Sequence, residues 1–263
     1  MRLNKPKFWD TDRWFIPILL FPFSLIILFL LFLKKKFTSS KKFNLNIICI
    51  GNIYVGGTGK TPTTIFLAKE LTKSKKSPVI LKKFYKNQID EHGLIRNNFQ
   101  NFILNKSRVE GVLEAEKKNH DIILMDDGFQ DFRIKKDLNI ICFNQNQLIG
   151  NGFTIPAGPL REPLSSLKRA QIILINGQKD IEFENKLLKI NQDLEIFYSS
   201  YVPLNIDKFT NKNLIALAGI GNPTNFFNLL EKNNLIIKQK LTFPDHYEFS
   251  KSDIRKIINL SKE

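Results

Sequence analysis

Cysteine and histidine are scarce in this chain of 263 residues. The two cysteines, Cys49 and Cys142, both lie in short apolar runs, where a thiol behaves as a small buried hydrophobe. Two such residues do not indicate a disulfide framework. The three histidines, His92, His120 and His246, have no His, Cys or acidic partner at the spacing of a zinc-binding helix or knuckle. The composition therefore favours neither a disulfide-stapled fold nor a zinc site.

Acidic residues are few relative to basic ones, with 25 Asp and Glu against 40 Lys and Arg and a formal net charge of +15. Residues 1–43 hold nine basic residues and only two acidic ones, Asp10 and Asp12. The chain lacks a basic helix interleaved with aromatics and a recognisable nucleic-acid module. We therefore expect no nucleic-acid partner, and part of the Lys, Asn, Ile and Phe richness is compatible with a coding bias.

Charge is missing altogether from the nineteen residues Phe15 to Leu33. A helix of this length spans about 28 Å, close to the hydrocarbon thickness of a bilayer, and a membrane helix tolerates Pro17 and Pro22. A cleaved signal peptide is the main alternative. However, the apolar run is too long for one, and Lys34-Lys35-Lys36 follow it in place of a cleavage site. We predict a retained membrane anchor.

The five lysines between Lys34 and Lys42, with no acid among them, orient this anchor. Such a cluster places its side of the membrane in the cytoplasm and attracts anionic lipid headgroups. The rest of the chain is thus expected to face the compartment that contains ATP.

The stretch Asn46 to Thr64 has the pattern of a strand, a phosphate loop and a helix. A short apolar run precedes a glycine-dense turn, and a helical pattern follows it; the turn consists of Gly56, Gly57, Thr58 and Gly59. Glycines let the backbone wrap a phosphate, Lys60 can reach the β- and γ-phosphates, and the Thr61 hydroxyl can bind Mg²⁺. The strict Walker A pattern fails at one position, where Tyr54 replaces its first glycine. We predict an ATP site; the alternative is an ordinary glycine-rich turn.

A second element of such a site is predicted at Asp121 to Gly128. Four apolar residues end in Asp126 and Asp127, which is typical of a Walker B strand. Its terminal carboxylate holds Mg²⁺ beside the phosphate loop at the edge of a parallel sheet. The alternative is that the two carboxylates only cap the following turn.

The remaining chain alternates short apolar runs with helical patterns, which predicts an α/β fold with a mostly parallel sheet. The passage from Lys82 to Asn101 is charged and is predicted to be irregular. A Gly/Pro-rich loop, Gly150 to Pro163, is where such a fold would place substrate contacts. We expect a membrane anchor in residues 1–43, a P-loop core in 44–205 and a smaller C-terminal lobe in 206–263.

The order of these motifs resembles that of the tetraacyldisaccharide 4′-kinases, or lipid A 4′-kinases, along nearly the whole chain. The motifs that carry the resemblance are GNxxVGGTGKTP from Gly51, Asp90-Glu91, Lys106 to Val109, Asp126-Asp127-Gly-Phe-Gln130, GNGxxxPAGPLREP from Gly150, GNPxxFF, and FPDH from Phe243. The resemblance implies a P-loop fold with a smaller C-terminal lobe. It also implies transfer of the ATP γ-phosphate to the 4′-hydroxyl of the disaccharide lipid A precursor at the inner membrane.

The resemblance also assigns residues. It implies that Gly56 to Thr61 bind the ATP phosphates, with Lys60 also catalytic, and that Thr61 and Asp126 hold Mg²⁺. Asp90 matches the catalytic carboxylate and His246 the histidine that pairs with it. The substrate positions that it implies are Tyr85, Arg108, Asp127, Gln130 and Arg161.

This chain departs from the family pattern at two places. After the second strand the family has Arg-Gly-Tyr-Gly, whereas this chain has Lys83-Phe84-Tyr85-Lys86 and loses both glycines. A histidine usually follows Gly-Phe-Gln, and here the residue is Asp131. The rival hypothesis is a membrane-tethered P-loop ATPase that acts as a switch on a protein partner. That hypothesis leaves Asp90, the PAGPLREP loop and the FPDH motif without a role.

Overall fold

The computed structural model describes residues 6–9, 15–86, 88–220, 223–244 and 247–261. Its helices and strands follow one another in alternation, as the sequence predicts. The α-helices are α1 (Phe15–Phe37), α2 (Lys60–Lys73), α3 (Ile89–Asn98), α4 (Arg108–Lys117), α5 (Ile181–Leu188), α6 (Pro223–Lys232) and α7 (Lys251–Leu260). The strands are β1 (Asn46–Gly51), β2 (Pro78–Lys83), β3 (Phe102–Asn105), β4 (Ile122–Asp126), β5 (Leu138–Asn144), β6 (Ile172–Asn176), β7 (Glu195–Ser199), β8 (Asn213–Ala218) and β9 (Ile236–Thr242).

Seven strands form one parallel sheet in the order β3-β2-β4-β1-β5-β6-β7. Alternate residues of these strands point to opposite faces. On one face Ile50, Ile80 and Leu124 pack against α2, while the opposite face packs against Val112 and Ala115 of α4. The predicted α/β class with a mostly parallel sheet is confirmed.

The central position of β1 fixes where the site must lie. Its two neighbours are β4 and β5, and Ile50 near its end is in register with Asp126 at the end of β4. Because parallel strands end at the same edge, the turn after β1 and the acid after β4 are brought together.

The prediction of an irregular passage from Lys82 to Asn101 is wrong. Strand β2 continues to Lys83, and α3 occupies Ile89–Asn98. Only His92 and Ile95 of α3 are buried, so its apolar periodicity is too weak to mark a helix in the sequence. The edge strand β3, which follows it, is also not predicted by the sequence pattern.

The N-terminal helix α1 continues beyond the uncharged run and includes Lys34-Lys35-Lys36 in its last turn. It is the one described helix that is long and apolar enough to cross a membrane. Only Pro17 and Ser24 are buried, and large apolar side chains are exposed along its length: Phe15, Ile18, Leu19, Phe21, Phe23, Leu25, Ile26, Phe29, Leu30 and Phe32.

The chain divides into two compact units, Lys5–Ser200 and a second unit that consists mainly of Tyr201–Glu263. The second unit has a two-stranded parallel sheet of β8 and β9, with Ala216, Ala218 and Phe227 in its small core. Helix α7 begins with a capping box formed by Ser250 and Asp253. The three-part division predicted from the sequence stays a prediction.

Candidate active site

The turn between β1 and α2 has the backbone geometry of a phosphate-binding loop. Gly56 and Gly59 have φ of 129° and 89°, which L side chains rarely adopt, and a Cβ added at Gly57 would meet no atom within 4 Å. Below the loop, Nδ2 of the buried Asn52 donates to Gly56 O at 3.3 Å and to Thr58 Oγ1 at 2.9 Å. The loop is therefore held open in front of the helix N-terminus, where phosphate groups bind.

Tyr54, the residue that breaks the strict Walker A pattern, has a packing role. It is fully buried among the core residues beside β5 and β6 and forms a bridge to Leu160 of the Gly/Pro-rich loop. Position 54 thus serves the core and not the phosphate cradle, so the departure from the pattern leaves the rest of the loop intact.

Asp126 lies at the centre of a buried polar cluster. Its Oδ2 accepts hydrogen bonds from Thr61 Oγ1 at 3.1 Å and from Lys82 Nζ at 2.6 Å, and its Oδ1 accepts from Thr64 Oγ1 at 3.4 Å. A carboxylate and a hydroxyl are the hard oxygen donors that Mg²⁺ takes, usually together with phosphate oxygens and waters. The pair Thr61 and Asp126 therefore fits the predicted metal site.

Asp127 connects the phosphate loop with the Gly/Pro-rich loop. Its carboxylate lies 3.7 Å from Lys60 Nζ and accepts two hydrogen bonds from Arg161, while its backbone oxygen accepts from Arg108 Nη2 at 2.6 Å. Burial alone would raise the pKa of Asp127. The charges of Lys60 and Arg161 outweigh that effect and hold its pKa well below the ordinary value. The carboxylate is thus ionised throughout the physiological range.

A cleft of about 520 Å³ opens beside Asp127. All five substrate positions implied by the resemblance line it: Tyr85, Arg108, Asp127, Gln130 and Arg161. Further lining residues are Lys34 and Thr38 from the end of the anchor segment, with Lys83, Asp131, Phe132 and Arg133. Five Lys and Arg against two Asp make this cleft electropositive, and it lies next to the basic end of α1.

Asp131, where the family pattern has a histidine, forms ion pairs inside the protein. Arg133 donates to both of its oxygens, at 2.9 and 2.7 Å, and Nη1 of Arg108 lies 3.5 Å away. Lys136 donates to its backbone oxygen. Burial raises the pKa of Asp131, but its hydrogen bond with Arg133 and the charge of Arg108 outweigh burial and lower the pKa to about 2. Asp131 thus neutralises part of the cleft's positive charge.

Of the two predicted acid–base residues, the structure describes only Asp90. Asp90 lies in the first turn of α3 with an exposed side chain, and its neighbour Glu91 forms an ion pair with Lys82. His246 lies outside the described residues. The proposed pairing of Asp90 with His246 therefore stays a prediction.

The Gly/Pro-rich loop docks on helix α1. Ser24 Oγ, buried in the middle of α1, donates to Thr154 O at 2.8 Å and accepts from Ala157 N at 3.1 Å. The rings of Phe21 and Phe153 make an edge-to-face contact at 5.6 Å. Since the same loop carries Arg161, helix α1 supports a residue of the cleft.

Sequence reasoning named Glu91 only as part of a motif and assigned no role to Lys82, Glu91 or Ser24. Lys82 ends an apolar strand run, where a lysine is normally expected to be solvated, and its partners come from β4 and α3. Ser24 is a lone hydroxyl in a lipid-like run. A polar residue inside such a run is itself a signal for a protein partner.

A family model described as tetraacyldisaccharide-1-P 4′-kinase matches residues 16–263. Two curated relatives carry the name tetraacyldisaccharide 4′-kinase. The protein from Pelagibacter ubique is 41% identical and that from Rickettsia canadensis 35%, and each match covers 100% of this chain and 84% of the relative. A crystal structure of LpxK from Aquifex aeolicus in complex with ATP is 25% identical, with a TM-score of 0.66 over 90% of this chain and 84% of that one.

Proposed function

The chain belongs to the tetraacyldisaccharide-1-P 4′-kinase family, and from this membership we propose how its residues divide the work of the reaction. It is an ATP-dependent kinase that transfers the γ-phosphate to the 4′-hydroxyl of the tetraacyldisaccharide 1-phosphate precursor of lipid A. The membrane-tethered switch considered above is therefore set aside.

The observation that carries the assignment of roles is the position of Asp127 between Lys60 and Arg161. Phosphoryl transfer depends mainly on holding the nucleotide and the acceptor in line while cations neutralise the transferred group. The carboxylate of Asp127 pairs with Lys60 of the phosphate loop and also with Arg161 of the cleft. We infer that this junction is where the γ-phosphate meets the acceptor hydroxyl.

On the nucleotide side, the backbone from Gly56 to Thr61 holds the ATP phosphates, and Lys60 neutralises charge that develops on the transferred group. The hydroxyl of Thr61 and the carboxylate of Asp126 hold Mg²⁺. Bound Mg²⁺ would act as a Lewis acid on the phosphate oxygens. This assignment is supported by the hydrogen bond between Thr61 and Asp126 at the end of β4.

On the acceptor side, the basic cleft binds the sugar and phosphate groups of the lipid. Arg161 and Arg108 line this cleft, and Nε of Arg108 is buried without a hydrogen-bond partner among the described residues. Gln130 Nε2 donates to Asn52 O, which ties the cleft to the base of the phosphate loop. Tyr85 and Lys83 line the rim of the cleft, where Lys83 Nζ lies 5.3 Å from the Tyr85 ring.

Asp90 is proposed as the base that accepts the proton of the attacking hydroxyl. A carboxylate in this role increases the rate by roughly 10²- to 10⁴-fold. Its position in the first turn of α3, next to Glu91 on the Lys82 pair, supports the assignment because that pair fixes the start of the helix near Asp126.

Helix α1 is proposed to hold the enzyme at the cytoplasmic face of the inner membrane, where Lys34 and its neighbours contact anionic headgroups. Ser24 lies ten residues before Lys34, about 15 Å along the helix. An upright helix would carry the loop at Ser24 into the hydrocarbon, where lipid-exposed loops do not occur. We infer that α1 is tilted so that this loop stays at the interface.

The test is mass spectrometry of the disaccharide 1-phosphate after incubation with the full chain, ATP and Mg²⁺ in membranes or mixed micelles. A product heavier by one phosphate, absent with Lys60→Ala, supports the roles proposed here. Release of inorganic phosphate without a phosphorylated lipid would support the switch. Fractionation adds the second readout, since the chain should stay in the membrane after high-salt and alkaline washes.

A further inference from the structure

Lys82 is a charged side chain buried at the proposed metal site. It lies on β2 in register with Asp126 on β4, so the two side chains emerge from neighbouring strands at the same level. Only 3% of the Lys82 side chain is exposed. Its Nζ lies 2.6 Å from Asp126 Oδ2 and 2.5 Å from Glu91 Oε2. One ammonium group thus joins two carboxylates that come from different elements.

This ammonium is charged in the folded protein. The Nζ lies within hydrogen-bond distance of carboxylate oxygens of both Asp126 and Glu91, and two such contacts favour the ammonium form. A buried cation of this kind is tolerated only because it is paired and hydrogen-bonded. Lys82 is therefore a permanent positive charge at the Asp126 carboxylate.

The same carboxylate oxygen is assigned to a divalent ion. Asp126 Oδ2 already accepts from Lys82 and from Thr61, so a metal ion that binds there must share or displace these contacts. The other carboxylate of the site, Asp127, is neutralised in the same way by Lys60 and Arg161. Without a nucleotide, the charges that normally attract a free divalent cation are already matched.

We propose that Lys82 is an internal cation that keeps free Mg²⁺ out of the nucleotide-free site, so that the metal enters only together with ATP. The phosphates of ATP bring the extra negative charge that restores attraction for the metal. This inference rests on the proposed metal role of Asp126. The ligand that the site selects is thus the metal–nucleotide complex and not the bare ion.

A purely structural role for Lys82 predicts a different result. If the ammonium only ties β2, β4 and α3 together, its removal lowers stability but leaves the preference between free metal and metal–nucleotide complex unchanged. The two roles are therefore separated by metal affinity and not by stability or activity alone.

The experiment uses the full chain in detergent micelles and measures Mg²⁺ binding by calorimetry and thermal unfolding, without nucleotide and with a non-hydrolysable ATP analogue. Lys82→Met and Lys82→Gln remove the charge, and Lys82→Arg retains it. The matched control is Lys118→Met, which removes an exposed lysine that pairs with Glu114 at 2.7 Å.

Free Mg²⁺ should not bind measurably to the wild type, Lys82→Arg or Lys118→Met. It should also leave their unfolding temperatures unchanged. Lys82→Met and Lys82→Gln should bind free Mg²⁺ measurably, about tenfold or more tighter than the upper limit set by the wild type, because a unit charge at contact distance from the ligand oxygen is removed. Tight binding of free Mg²⁺ by the wild type would overturn the proposal even if both neutral variants fail to fold. Folded neutral variants with unchanged affinity would also overturn it.

A further variant separates this outcome from a failure of the metal assignment. Adding Asp126→Asn to Lys82→Met should abolish the gained affinity. If Asp126→Asn alone leaves Mg²⁺-dependent binding of the ATP analogue unchanged, the metal role of Asp126 is wrong, whatever Lys82 does.

Discussion

Nη1 of Arg161 donates to both carboxylate oxygens of Asp127, at 2.8 and 3.1 Å. Arg161 comes from the loop that docks on α1, and Asp127 follows the strand that ends beside the phosphate loop. Charge-assisted pairs of this kind are short and directional. The contact therefore fixes the Gly/Pro-rich loop relative to the strand end beside the phosphate loop.

Arg161→Ala should lower kcat/KM for the lipid by about 10²-fold, because a charge-assisted contact and a cleft cation are lost together. The KM for ATP should change much less. Arg161→Lys should retain part of the activity, since it keeps the charge without the planar fork. Steady-state kinetics with each substrate varied in turn would measure the split, and equal increases in both KM values would contradict this role.

Lys60→Ala and Asp126→Ala should each reduce kcat by about 10²-fold or more, since both act on charge at the transferred phosphoryl group. Lys69→Ala, an exposed position on the same helix, is the matched control. Circular dichroism and thermal unfolding would establish that each variant is folded. Near wild-type turnover in either site variant would refute its assignment.

Asp90→Asn removes the proposed base with little change in shape. The expected result is a loss of about 10²-fold or more in kcat with an almost unchanged KM for ATP, the usual scale of general-base catalysis. Asp193→Asn changes an exposed turn residue in the same way and should be silent. Comparable rates for the two variants would refute the assignment of Asp90 as the base.

Ser24→Ala should weaken the docking of the Gly/Pro-rich loop on the anchor. It removes the partner of two backbone groups, which costs about 1–3 kcal/mol when they stay buried. Limited proteolysis within residues 150–163 should become faster and the KM for the lipid should increase severalfold. Ser40→Ala, at an exposed position beyond α1, is the control. Unchanged proteolysis would show that the loop is held without Ser24.

The lowered pKa of Asp131 predicts that part of the folding stability is lost at acidic pH. Its pKa is lowered from 3.8 to about 2, so its contribution is present above the unfolded value and is lost as the pH falls through the folded one. Asp131→Asn should therefore cost on the order of 1 kcal/mol near neutral pH, because the exposed partner Arg133 is screened by water. The difference from wild type should shrink below about pH 4 in urea unfolding curves. A constant difference would exclude this origin.

The local sequence pattern predicted those parts of the fold and the site that depend on residues adjacent in the chain. The strand, loop and helix around Lys60 and the acid at Asp126 could be read from consecutive residues. The pair between Lys82 and Asp126 could not, because it depends on the strand register between β2 and β4. The contacts of Ser24 could not be read from the sequence either, because its partners lie 130 residues or more along the chain. Helix α3 escaped detection because few of its side chains are buried.

The contact between Ser24 and the loop also sets an order of assembly. Ser24 leaves the ribosome 130 residues before Thr154. At a synthesis rate of about 5–20 residues per second, that separation is on the order of 10 s. With the membrane role proposed for α1, the helix thus meets the lipid while the loop that will cover the Ser24 hydroxyl does not yet exist. On this proposal, targeting of the nascent chain precedes completion of the catalytic domain, which then folds against a helix that is already in the lipid.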